Sequence, residues 1–213
     1  MSNDQTTKMC QITGTLKDLA QAFAVVTPYA SIDKPALQLV TITRHTFATC
    51  DSYAAIRHTY TAETFTTNHN GTEQRLNGFT LPAGEVSKAL TAAAKLAGKR
   101  AGQIEATLTA NPDTWTLITT EGQTYAGHNP QHETPNTKTI WQNALSTEAA
   151  TFDTLSLAQW QIERLAKTTK QVSHGKDQPA TLTNYTDPNK PVIYTITTQT
   201  TKTQILIMPT RTK

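Results

Sequence analysis

The chain has 213 residues, 37% of them hydrophobic and 16% charged, with two cysteines and a formal net charge of +3. This length suffices for one or two domains with a buried core, and so small a charge does not by itself announce a nucleic-acid partner. No apolar run approaches the ~18–20 residues of a membrane span, and the polar opening MSNDQTTKMCQ lacks the apolar stretch of a secretory leader. Cys10 and Cys50 are too few for a disulfide framework or a Cys-rich zinc site. The expectation is an intracellular, cytoplasmic protein with no membrane partner. Thr fills the charge deficit, in stretches such as TFTTN and YTITTQTTKTQ. Its β-branched side chain favours strands, and its hydroxyl suits a solvent-facing sheet.

In chain order, Leu16 to Val26 predicts an amphipathic helix, with Leu16, Leu19, Ala20, Phe23 and Val26 on one stripe and a stop at Thr27-Pro28. Strands follow at 37–44, 46–50 and 54–61, and the polar stretch 66–77 reads as a loop. A second segment opens with strand 78–82. Its Ala-rich helix spans 84–96 and ends in the Gly98/Gly102 stretch that carries Lys99 and Arg100. Strands 104–110 and 114–121 flank the turn signal Asn111-Pro112-Asp113, and strand 123–127 follows. Residues 128–143 are polar and twice interrupted by Pro, which predicts a connecting linker. The third segment runs through strand 150–154, helix 157–170 and strands 179–185, 191–198 and 204–211. The order is three βαβββ units in an α+β chain. A generic α+β protein with three helices would share these elements, and their order names no function.

The faces opposite the apolar stripes carry Lys17 on the first helix, Lys88 and Lys95 on the second with Lys99 and Arg100 after it, and Arg164, Lys167 and Lys170 on the third. Acidic residues on these helices are few: Asp18, Glu85 and Glu163. Side by side, the helices would present a positive surface suited to phosphates. A solvated helix face carries the same residue types without any ligand. No helix-turn-helix, zinc-finger or RNA-recognition signature accompanies them, so DNA contact would be to the backbone and independent of sequence.

Convergent reactive groups are missing. Cys50 lies near His45 and His58 in sequence, but His45 falls at a turn and His58 is expected on an exposed strand face. Cys50 then reads as a small buried hydrophobe. His128 and His132 stand four apart with Glu133 adjacent, a metal spacing only on a helix, and Pro130 between them opposes helix. No phosphate-cradling Gly-rich loop is present. No catalytic residue, cofactor or metal is expected, and an enzyme is the least favoured class.

Four stretches resemble the DNA sliding clamp of the bacterial DNA polymerase III β-subunit type, in a shortened, divergent or phage-like version. KPALQLVTI (34–42) followed by FATCDSYAAIRHTY (47–60) is similar to the clamp's turn, strand and "ATDG" strand end. GFTLPAGEVSKAL (78–90) is similar to the opening of a clamp half-domain, and TYAGHNPQHE (124–133) to the connector between clamp domains. QILIMPTR (204–211) resembles the family's "MPmR" ending, the most specific of the four. Ser52 replaces the usual Gly, Asn129-Pro130-Gln131-His132 replaces an aromatic-rich connector, and Thr210 replaces the second Met.

The resemblance implies a clamp domain at 1–143, with halves at about 9–65 and 77–127, and a C-terminal half-domain at 144–213. It implies helices lining a ring and contacting double-stranded DNA. It also implies no chemistry, recruitment of DNA polymerase and clamp loader through short linear motifs, and a nucleoid-associated location in a bacterial or phage-infected cell. With a dozen halves in a clamp ring, three per chain imply self-association of four chains. By position, the partner-peptide pocket falls on Cys50, Ser52, Tyr53, Ala55, Pro130, Leu206, Met208, Pro209 and Arg211. Apolar Met and Pro walls suit a linear motif. Two further readings are a clamp-derived protein that binds a host clamp without encircling DNA, and a β-rich virion component.

Overall fold

Strand β1 (Met9–Thr15) runs directly into helix α1 (Leu16–Val26), and Thr15 marks the change. Its hydroxyl accepts from the Asp18 amide at 3.1 Å and donates to the Asp18 carboxylate at 2.7 Å, satisfying a helix N-terminus that would otherwise lack partners. The apolar stripe of α1 buries Leu16, Leu19, Ala22, Phe23, Val25 and Val26. The computed structural model describes residues 9–61, 63–70, 78–130, 137–145, 156–173, 179–183 and 191–209.

The first unit continues through β2 (Leu39–Thr43), β3 (Thr46–Cys50), β4 (Ala54–Tyr60) and β5 (Thr66–Asn70). The second contains β6 (Phe79–Pro82), α2 (Ala83–Ala97), β7 (Glu105–Ala110), β8 (Thr114–Thr119) and β9 (Thr124–His128). Gly98, at φ +58°, ends α2 in a backbone conformation that a side chain would strain. Then come α3 (Thr137–Leu145), α4 (Gln159–Val172), β10 (Ala180–Thr183), β11 (Val192–Thr197) and β12 (Thr201–Ile207).

The strands form two antiparallel sheets, β5-β1-β7-β8-β9 and β10-β11-β12-β4-β3-β2-β6. The first two units exchange their opening strands. β1, with β5 on its other edge, pairs with β7 of the second unit, and β6 of the second unit pairs with β2 of the first. Each sheet therefore contains strands of both units. The third unit extends the first unit's sheet through an antiparallel β12–β4 pairing over seven residue pairs, from Thr201↔Tyr60 to Ile207↔Ala54.

One core joins all three units. The inner faces of both sheets and the stripes of α1, α2 and α4 share it, with Ile12, Phe23, Phe47, Ile56, Leu90, Leu108, Leu117 and Ile205 fully buried. Phe47 stands edge-on to Phe23, Tyr60 and Phe65 at centroid distances of 5.9, 6.3 and 5.3 Å, the favoured aromatic geometry.

Three expectations are corrected. Residues 66–70, read as loop, are edge strand β5, paired with β1 from Met9↔Asn70 to Thr13↔Thr66. The sequence TTNHN has no apolar alternation because an edge strand can draw its order from ladder hydrogen bonds alone. Residues 71–77 lie outside the described residues. The linker expected at 128–143 contains the end of β9 and most of helix α3. Among the α3 residues whose burial is described, 139–145, Trp141 and Ala144 are the buried ones, too few to set a helical period. Strand 150–154 lies outside the described residues. The last strand begins at Thr201, earlier than expected, because Thr201 and Thr203 turn inward beside Tyr60 and His58.

Candidate functional site

The helix surface comes first. α1 packs between α2 and α4. Lys17, Lys88, Lys95, Lys99, Lys167 and Lys170 are all exposed. On α2 Glu85, Lys88 and Lys95 follow the helical spacing of one face, with Lys99 exposed on the short turn beyond Gly98, and on α4 Glu163, Lys167 and Lys170 keep the same spacing. Arg100 donates to Glu121 at 2.6 Å across an exposed turn. Arg164 differs from the rest. Its Nη1 donates to Asp51 at 2.6 Å, and its guanidinium lies 5.0 Å over the Tyr29 ring and 4.9 Å over Trp160. Most of its surface is withdrawn from solvent, so it fastens α4 to the first unit.

The second surface is the outer face of the seven-stranded sheet. Strand alternation sends Ala54, Ile56, His58 and Tyr60 of β4 inward and Ala55, Arg57 and Thr59 outward. Cross-strand registry then aligns Cys50 with Ala55, Ala55 with Leu206, and Leu206 with Ile193. The result is an apolar row across β3, β4, β12 and β11. The next two rows along the strands are largely polar: Ala48, Arg57, Gln204 and Thr195 in one, Thr46, Thr59, Lys202 and Thr197 in the other. Arg57 Nε donates to Gln204 at 2.7 Å. The row is buried, because Trp141 and Ala144 of α3 pack on it with Leu37 alongside. Burial, with the neighbouring Asp51 adding to it, pushes the Cys50 thiol up to about 11.

Of the positions expected to form a peptide pocket, Cys50, Ala55 and Leu206 are brought together in this row. Tyr53 is 60% exposed, its ring 5.9 Å from Trp160 and its carbonyl accepting from the Met208 amide at 3.0 Å. Met208 is exposed in part, with its own carbonyl held by Gln161 Nε2 at 2.9 Å, and Pro209 follows half-buried. Ser52 is exposed and accepts from Lys34 Nζ at 2.7 Å. Pro130 follows Asn129, which is tied to Asp113 and Asn111 at the end of the five-stranded sheet, away from the row. Arg211 lies outside the described residues, as does His132. Ile193, Trp141, Ala144 and Leu37 were missed. Alternation along VIYTIT places Ile193 on the face of Thr195, but only the β11–β12 registry brings it to Leu206.

His58 is also corrected: it is 1% exposed and faces the core. Its Nδ1 pairs with Thr203 Oγ1 at 2.7 Å, its Nε2 has no hydrogen-bond partner, and burial lowers its pKa to about 4. It borders a cleft of about 330 Å³ between α1, the end of α4 and the β11–β12 turn, lined also by Lys17, Gln21 and Ser173. Among the described residues no group of three His, Cys, Asp or Glu could hold a metal ion, and no helix is long and apolar enough to cross a membrane.

Strand-exchanged βαβββ halves, sheets joined edge to edge and helices packed in a row define the class of fold: that of the DNA polymerase sliding clamps. The chain superposes on the β subunit of the Streptococcus pyogenes DNA polymerase with a TM-score of 0.54 at 13% identity, covering 94% of this chain and 65% of that one. The Bacillus subtilis DNA polymerase sliding clamp gives 0.60 at 12% identity, covering 100% and 67%. Proliferating Cellular Nuclear Antigen from Entamoeba histolytica gives 0.53 at 10% identity, covering 96% and 100%. The chain spans about 65% of the length of such bacterial β subunits. In sequence, no protein-family model and no curated protein matches it.

Proposed function

We propose that the chain is a subunit of a DNA sliding clamp, a ring that encircles duplex DNA without reading its sequence and holds a polymerase to it. The observation that carries this reading is the set of three adjoining helices, α2, α1 and α4, on which Lys17, Lys88, Lys95, Lys167 and Lys170 are exposed, with Lys99 exposed on the turn after α2. Such cations neutralise phosphates and leave base edges unread. A clamp acts by topology and needs no reaction, so its subunit is not an enzyme. Residues 1–143 supply one clamp domain and 144–213 a further half. At three halves per chain, four chains complete a ring of twelve. The apolar row of Cys50, Ala55, Leu206 and Ile193 on the outer sheet face is the docking site for linear peptides of polymerase and clamp loader, in the cytoplasm where replication occurs.

The test is retention on DNA of different topology. The protein, loaded on nicked circular duplex, stays bound through gel filtration and is lost when the circle is cut. Equal retention on linear and circular DNA rejects encirclement. Co-purification with a full-length clamp, without DNA retention, selects instead a clamp-derived protein that modulates a host clamp. Light scattering gives the number of chains, and a monomer at micromolar concentration rejects the self-assembled ring.

A further inference from the structure

The apolar row is occupied by a segment of the same chain. Helix α3 has nine residues, too short to hold helical form in isolation, so its order comes from what it packs on. What it packs on is the row: Trp141 and Ala144 are 5% and 6% exposed there, while Ile140 and Leu145 turn outward at 40% and 50%. To this apolar contact Trp141 contributes an aromatic ring and Ala144 a methyl group. The Arg57 guanidinium lies 4.5 Å from the centre of the indole, a favourable cation–ring contact. The fit is incomplete on the other count, since the indole Nε1 is buried without an acceptor. The groove thus accepts a ring and gives nothing to its N–H.

We propose that α3 is an internal occupant of the peptide groove, which seats Trp141 over Cys50, Ala55, Leu206 and Ile193 in the free chain and must lift away before a partner segment with an aromatic anchor can bind. The partner's role rests on the clamp reading; the occupancy by α3 does not. A partner ring without an N–H meets the same apolar row and the same Arg57 face without burying an unpaired donor. Affinity for any such segment falls by the fraction of time the groove is open, so a chain whose groove is vacant one-tenth of the time binds about tenfold more weakly than a vacated variant. Docking becomes conditional on release of α3.

Two readouts test this in the full-length chain. In a Cys10→Ser background, Cys50 is the sole thiol and lies under α3. Trp141→Ala should raise its rate of modification by a disulfide reagent about tenfold or more, and a fluorescent synthetic peptide of residues 137–145 should bind this variant at least about tenfold more tightly than the parent. Trp141→Phe, which keeps a ring and removes the unpaired N–H, should protect Cys50 at least as well as the parent. An unchanged thiol rate together with unchanged peptide affinity overturns the proposal. Should Trp141→Ala fail to fold, hydrogen exchange on the parent decides: α3 amides exchanging well before those of β4 and β12 support a releasable helix, and exchange only together with those strands overturns it. DNA retention is scored separately, so a failed ring leaves the thiol result standing, and a failed thiol result leaves the ring reading standing.

Discussion

Arg164 and Asp51 meet at 2.6 Å between a helix of the third unit and the β3–β4 turn of the first. The other oxygen of Asp51 accepts from the amides of Tyr53 and Ala54 at 2.7 Å each, so one carboxylate both shapes the turn and receives the distant guanidinium. With Tyr29 and Trp160 stacked about it, Arg164 supplies packing as well as charge. The bond joins units 113 residues apart in sequence.

Removing either partner leaves a largely buried charge without its mate. Arg164→Ala and Asp51→Ala should each lower unfolding stability by roughly 2–4 kcal/mol. The double variant should lose less than the sum of the two, by at least about 1 kcal/mol. Denaturant melts of the four proteins measure this, and strict additivity would show that the pair does not couple the units.

Gly78 precedes β6, the strand that the second unit lends to the first unit's sheet. A Cβ placed there would collide with the backbone carbonyl of Ile42, on the strand that β6 pairs with. Backbone in a ladder cannot rotate aside as a side chain can, so Gly78→Ala should cost about 1–3 kcal/mol. Gly84, in the first turn of α2, has open space around it, and Gly84→Ala should stabilise by about 0.5 kcal/mol through lower unfolded-state entropy. Equal melting temperatures for the two variants would refute the steric account.

Helices α1, α2 and α4 and most strands were legible because their signals are local, whereas α3 was read as linker. Leu16, Leu19, Phe23 and Val26 repeat at helical spacing, and Asn111-Pro112-Asp113 marks a turn on its own chemistry. Strand β5 was not legible, since Thr66–Asn70 is ordered by pairing with β1 and by nothing in its own pattern. His58 was misplaced by its polarity. Its inward direction follows from the parity of Ile56 and Tyr60, but burial of its Nδ1 is tolerable only because Thr203, distant in sequence, supplies a partner. The outer row was half legible. Cys50, Ala55 and Leu206 came from local strings, whereas Ile193 and Trp141 join them through tertiary registry that no local string encodes.

Lys88 and Lys95 on α2 and Lys99 on the turn after it are all exposed, so replacing all three with Ala should leave the fold intact and weaken duplex binding. For each phosphate that the variant no longer neutralises, the slope of log affinity against log salt concentration should become shallower by about 0.9. Two duplexes of unrelated sequence should be affected alike. Lys34→Ala, which removes a cation bound to Ser52 on a turn, should leave the slope unchanged. Fluorescence anisotropy across a salt series measures each case. A slope that stays constant in the triple variant would remove α2 from the DNA surface.

His58 sets an acid limit on stability. Burial holds its folded-state pKa at about 4, against an ordinary value of 6.5. Well above pH 6.5 the residue is neutral whether folded or unfolded and contributes no pH dependence. As pH falls from 6.5 towards 4, the unfolded chain takes up a proton that the folded chain refuses, so stability declines through that window and this contribution levels off below it. The whole loss is on the order of 3 kcal/mol. Carboxylates titrate in the lower part of the same range, so the informative quantity is the parent's profile minus that of His58→Gln. That variant removes the titrating group and keeps a polar side chain that can reach Thr203. The difference should be flat well above pH 6.5, begin to fall as pH approaches 6.5 and decline steadily towards pH 4 in thermal melts. Parallel profiles would mean that His58 is protonated within the fold, with its unpartnered Nε2 reaching solvent through the adjoining cleft.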